Sequence, residues 1–165
     1  MKYTVENWEP EYGAPSTPEL EDASENVEVG IELPPERWQP VLPGEDPLDD
    51  LLFVDGVRRV DASLWIEQPP DFPGFALAAT YAAGAVRCNG RATLESADIG
   101  RGLFTASAAE DIPSDVGVYE VKATKGTTPE ELWLGIQQRM ADLEARVARE
   151  AGPAEVVVVD GPLSH

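Results

Sequence analysis

From Leu51 onward the chain alternates between runs of apolar residues and short breaks rich in Gly, Pro and charge. "LLFVDGVRRVDASLWIE" opens with a continuous apolar run over Leu51–Val54, which predicts a buried strand ending at Asp55, followed by a turn at Gly56. Beyond that turn Val60, Ala62, Leu64 and Ile66 recur at every second position and predict that the strand resumes. "FALAATYAAGAVRC" predicts a second long strand whose small residues suit close packing under a helix. Asn89-Gly90 is a two-residue hairpin signal, and "RATLESADIGRGLFTA" returns as a third strand. "SAAEDIPSDVG" reads as loop, and "VYEVKAT" as a short alternating strand.

The period then changes. Leu132, Ile136, Met140, Leu143 and Val147 follow one another at helical spacing and form one apolar stripe. Thr128 is placed to cap this helix, Pro129 occupies its first position, and Glu131 completes a capping box. Gly152-Pro153 stops it. "AEVVVVD" follows at once and predicts another buried strand, ending at Asp160 before Gly161-Pro162. A helix that leads into a continuous apolar strand implies a parallel, two-sided sheet position. The first and last of these strands are therefore expected to be adjacent and parallel at the sheet centre. Their carboxyl ends would lie on one edge, where open α/β sheets bind ligands, and Asp55 and Asp160 would meet there.

Residues 1–50 follow a different regime. They hold 14 acidic residues, two basic residues (Lys2 and Arg37) and eight prolines, with no apolar periodicity. Such a segment buries too little surface to offset its ordering entropy, so an acidic, Pro-rich, largely disordered arm is expected ahead of a folded domain at 51–165. Within the arm, "VEVGIEL" (27–33) alternates and could add an edge strand; Trp8, Tyr12 and Trp38 are its apolar exceptions. The whole 165-residue chain carries a formal charge of −19, which opposes a broad basic nucleic-acid surface without excluding a local metal-bearing cleft. The single cysteine, Cys88, excludes an intrachain disulfide framework and fits a reducing compartment. The N-terminus has no apolar export core, and the longest apolar stretch, residues 75–86, is too short to cross a bilayer. A cytoplasmic protein without membrane contact is the expectation.

Two converging carboxylates repel, and a divalent cation removes that penalty. Mg²⁺ and Mn²⁺ prefer oxygen ligands and are commonly held by one or two carboxylates plus substrate phosphates. The ordinary alternative is that each Asp-Gly pair caps a turn. "FVDGVRRVDASLW", "GFALAATYAAGAV", "EELWLGIQQRMADLEARV" and "VVVVDGPL", in that order over residues 51–163, resemble the NurA nuclease family. The resemblance implies an RNase H-like fold: a mixed sheet with a long helix packed on it. It implies Mn²⁺-dependent (or Mg²⁺-dependent) cleavage of DNA and end processing with a HerA-type ATPase; a homodimer is one option, and the sequence leaves the oligomeric state open. It also implies that Asp55 and Asp160 are metal ligands and catalytic residues.

The resemblance also implies a third carboxylate between them, and Glu144, sixteen residues before Asp160, is the best match by spacing. Glu144 sits at the border of the apolar stripe, so exposure on the solvated face is an equal expectation. Gln137 is its rival, because helix residues near or before it should lie level with Asp160. Arg58 and Arg59 are candidate DNA-phosphate contacts, with pairing to Asp61 the alternative. Lys122 and Lys125 precede the helix N-terminus and are weaker candidates. His165, the one histidine, receives no role. Family members extend beyond the "DGPL" block with further functional residues, so the domain is expected to be incomplete at its C-terminus. A competing reading is an inactive relative or fragment serving as an acidic interaction module. An actin-like or sugar-kinase-like ATPase lobe is disfavoured, because "DGVRR" and "DGPLS" lack the Gly/Thr-rich phosphate loops it needs.

Overall fold

The alanines and glycines of the second long strand allow a helix to lie close across the sheet, and the fold is organised around that contact. The structure, a computed structural model, describes residues 1–6, 33–40, 48–67 and 73–160. The chain divides into two units, Met1–Pro10 with Leu48–His165, and Glu11–Pro47. In the first, strands β1 (Tyr3–Val5), β2 (Leu51–Ile66), β3 (Gly74–Cys88), β4 (Ala92–Thr105), β5 (Ile112–Ser114) and β6 (Gly117–Ala123) precede helix α1 (Pro129–Ala151) and strand β7 (Val156–Val159). The order across the sheet is β1-β2-β3-β4-β6-β5, with β7 also paired to β2. In the second unit, Pro35–Arg37 form one 3₁₀ turn, and Trp38 Nε1–H donates to the Leu33 carbonyl at 3.2 Å. Trp8, Tyr12, the 27–33 alternation (but for Leu33), Gly161-Pro162 and His165 lie outside the described residues.

The architecture is mixed α/β: a curled mixed sheet of seven strands with one helix packed on it. β2, β3 and β4 form an antiparallel meander, and β3 turns into β4 through Asn89-Gly90, where Gly90 has φ +81°. β7 pairs parallel to β2, from Leu51↔Val156 to Val54↔Val159, as the helix-then-strand order implied. Thr128 and Glu131 form the expected capping box, with the Thr128 side chain accepting the Glu131 N–H and the Glu131 carboxylate accepting the Thr128 N–H. Leu132, Ile136, Leu143 and Val147 are buried against Leu52, Val54, Ala79, Ala83, Ala85 and Phe104, and Met140 packs at the border of this core.

Four expectations are corrected. β2 does not stop at Asp55: it runs unbroken to Ile66, paired along nearly its whole length with β3. Gly56 has no positive φ, so the antiparallel ladder overrides the turn preference of Asp-Gly. The only irregularity in this pairing lies between Val60 and Ala62, a bulge at Asp61. One extra residue reverses the side-chain alternation. Val60 therefore joins the helix-side core, while Ala62, Leu64 and Ile66 join a second core with Ala76, Ala78 and Leu103.

β7, expected to be buried centrally, pairs only with β2 among the described residues, and Val156–Val159 are 36–46% exposed. Finally, Tyr3–Val5, expected within the arm, pair with Leu64–Ile66 as an edge strand, and the Tyr3 hydroxyl bonds the Glu110 backbone at 2.8 Å. No helix among the described residues is long and apolar enough to cross a membrane.

Candidate functional site

The β2–β7 pairing has a constant offset of 105 residues (156 − 51 = 105; 159 − 54 = 105). The ladder ends at Val54↔Val159, and Asp55 and Asp160, the next residue of each strand, both line one cleft. Two groups hold this register from behind. Arg87 on β3 donates through Nη1 to both Asp50 carboxylate oxygens at 2.7 and 2.6 Å, and through Nη2 to the carbonyls of Ala151 and Pro153 at 3.0 and 3.1 Å. One guanidinium thus ties the end of α1 to the start of β2. The Asp50 carbonyl in turn accepts the Glu155 and Val156 N–H groups, at 3.1 and 3.3 Å, where β7 begins.

Asp55, Glu144 and Asp160 line one cleft, together with Gly56, Arg58, Leu134, Gln137 and Met140. Gly56 faces the helix: a Cβ at that position would stand 2.3 Å from Glu144 Oε1 and 2.8 Å from Met140 Cγ. The glycine of the Asp-Gly pair is thus needed for the close approach of a helix carboxylate. That approach leaves Glu144 only 9% exposed, although it stands at the edge of the apolar stripe. Burial, and then the like charges of Asp55 and Asp160, raise its pKa above the usual carboxylate range; Arg58 acts in the opposite sense. Of the two rival positions, both Glu144 and Gln137 reach the cleft.

Arg58 and Arg59 part company. Arg58, on the helix side of β2, lies over the Trp133 ring with its guanidinium carbon 5.7 Å from the ring centroid, and Nη1 contacts Met140 Sδ at 3.9 Å. Arg59 pairs with Asp61, Nε and Nη2 lying 2.8 and 2.7 Å from Oδ1. Asp61 also accepts from the Thr80 hydroxyl at 2.5 Å and the Tyr119 hydroxyl at 3.0 Å, which pins the bulge to the β5–β6 hairpin. Tyr119 has a raised pKa, mainly through burial. Lys122 pairs with Glu120 at 2.6 Å.

Asp55, Glu144 and Asp160 offer only carboxylate oxygens, the donor type that a hard divalent cation takes. Their mutual repulsion, felt at Glu144, is what such an ion would relieve. Among the described residues, no group of three or more His, Cys, Asp or Glu is gathered closely enough to hold a metal ion. Strand alternation explains the looseness: Gly56 faces Glu144, so the Asp55 Cβ points to the other side of β2. The Asp55 carboxylate takes the Gly56 N–H instead, at 2.8 Å. Two features were not anticipated from sequence, the role of Gly56 as a seat for Glu144 and the Arg58–Trp133 contact. A helical signal for the second exists, since Trp133, Gln137, Met140 and Glu144 (i, i+4, i+7, i+11) share one side of α1. Comparison with protein-family models and with curated proteins finds no match for the chain.

Proposed function

We propose that residues 51–165 are a metal-dependent DNA nuclease domain of the NurA kind, with an RNase H-like fold, acting in DNA end processing beside a HerA-type ATPase. The single observation that carries this reading is the parallel β2–β7 register, which brings Asp160 level with Asp55 on a cleft that Glu144 enters from α1. Three antiparallel strands in sequence (β2–β4), then the β5–β6 hairpin, a helix, and a strand parallel to the first of the three support the RNase H-like assignment. Asp55 and Asp160 would hold the cation, Mn²⁺ or Mg²⁺, with Glu144 as the third carboxylate. When bound, such a cation activates water and stabilises charge at the phosphate.

The chain's own residues supply the rest. Burial, and then the charges of Asp55 and Asp160, raise the pKa of Glu144, and neutralising those two charges would remove the second part of that rise and favour its ionised form. Arg58, the only cation among the described residues that line the cleft, would hold a DNA phosphate. Gly56 keeps the space that Glu144 needs.

A second reading, an inactive acidic interaction module, is favoured by the loose carboxylate set and the charge of −19. The two are separated by incubating end-labelled single-stranded and duplex DNA with Mn²⁺, Mg²⁺ or EDTA. The nuclease reading expects cation-dependent cleavage that Asp55→Asn and Asp160→Asn abolish. Cleavage surviving both substitutions would remove the two-Asp site, and no cleavage with any cation would leave the interaction module.

A further inference from the structure

The mechanism leaves Trp133 unused, and its setting is unusual. An indole 39% exposed stands in the first turns of α1, beside Leu134, which is 64% exposed and lines the cleft. Arg58 lies over the indole and makes no direct ion pair among the described residues, whereas its neighbour Arg59 is paired with Asp61. In a chain of charge −19, a guanidinium without a direct ion pair on the rim of a carboxylate cleft, the only cation among the described residues that line it, is a local feature that attracts an anion.

We infer that Trp133 and Arg58 form a platform for an unpaired nucleotide, with the base stacked on the exposed indole and its phosphate held by the guanidinium. This rests on the nuclease reading of the adjoining cleft. Three physical points select a single strand over a duplex. Bases inside a duplex are already stacked on one another, so away from its ends an indole reaches a base only where the strands have parted. Net negative charge works against backbone attraction, the term on which duplex binding depends most, so affinity must come from stacking. Finally, Trp133 and Glu144 are eleven residues apart on one helix, about 16 Å at 1.5 Å per residue. The stacked base therefore belongs to a nucleotide further along the strand than the one at the carboxylates. The platform would set which end of a strand is fed into the cleft.

The test is equilibrium binding by fluorescence anisotropy in EDTA and low salt, where no cleavage intervenes. The probes are a labelled oligothymidine and a flush-ended duplex of the same length. Wild type is expected to prefer oligothymidine. Trp133→Ala should weaken oligothymidine binding about tenfold while leaving the duplex unaffected. Trp133→Phe, which keeps a stacking ring and the local packing, should stay close to wild type. Arg58→Ala should weaken binding and lower the salt slope by about one. Melting temperatures of the variants exclude unfolding as the cause. Trp133→Ala binding oligothymidine as wild type does would overturn the platform, as would a preference for duplex or no binding of either probe by wild type. The nuclease reading is judged separately by Asp55-dependent cleavage, which can persist when the platform fails and can be absent when the platform holds.

Discussion

Glu144 on α1 is seated directly against Gly56 on β2, with a separation that leaves no room for a methyl group on the glycine. This contact joins the helix to the strand that carries Asp55 and explains why a carboxylate on the margin of an apolar stripe is buried. Gly56→Ala should displace Glu144 and Met140. Overpacking of this kind costs about 1–3 kcal/mol, read as a lower melting temperature or denaturant midpoint. Glu144→Ala in the same chain should recover part of the loss, because the two changes couple through one contact. Strict additivity in that double-mutant cycle would show that the clash does not matter.

The raised pKa of Glu144 has a definite consequence for stability. The folded state favours the protonated form, so its contribution is fully present below the unfolded pKa and is lost as pH rises through the folded value. Glu144→Gln, which mimics the neutral form, should therefore stabilise the protein at about pH 8 and make little difference at about pH 3.5. Chemical denaturation of both proteins across this range checks it. A gain of equal size at both ends would contradict burial and carboxylate repulsion as the cause of the shift.

Cation binding should act in the same direction by another route. On the proposed reading Mn²⁺ would relieve repulsion among Asp55, Glu144 and Asp160 and would bind only the folded arrangement, so it should raise the melting temperature in a concentration-dependent way. Asp55→Ala should remove the shift. A full Mn²⁺ response in Asp55→Ala would locate the ion elsewhere.

Arg87 is the structural counterpart of the site. Its guanidinium is bonded to Asp50 and to two backbone carbonyls, with a side chain only 15% exposed. Arg87→Leu should cost about 2–4 kcal/mol by leaving Asp50 and those carbonyls without their donor. It should also loosen β7, seen as faster amide exchange at Val157–Val159 than elsewhere in the sheet. Unchanged exchange in β7 would show that Arg87 does not set the register.

Much of this molecule was legible from residue order alone. The helix and its caps follow from Thr128, Pro129, Glu131 and Gly152, because capping is a local exchange of hydrogen bonds. The parallel pairing of Val156–Val159 with Leu51–Val54 follows from an apolar strand placed directly after a helix. Tertiary structure alone decided three other things. Asp-Gly at 55–56 stays extended because β3 pairs across it, a long-range ladder that outweighs a local turn preference. The bulge at Asp61 sends one evenly spaced apolar set into two cores, and alternation carries no mark of where an extra residue will be inserted. Glu144 is buried because Gly56, 88 positions earlier in the chain, lacks a side chain. Periodicity records which face of an element is apolar. It does not record which backbone elsewhere leaves room for a carboxylate.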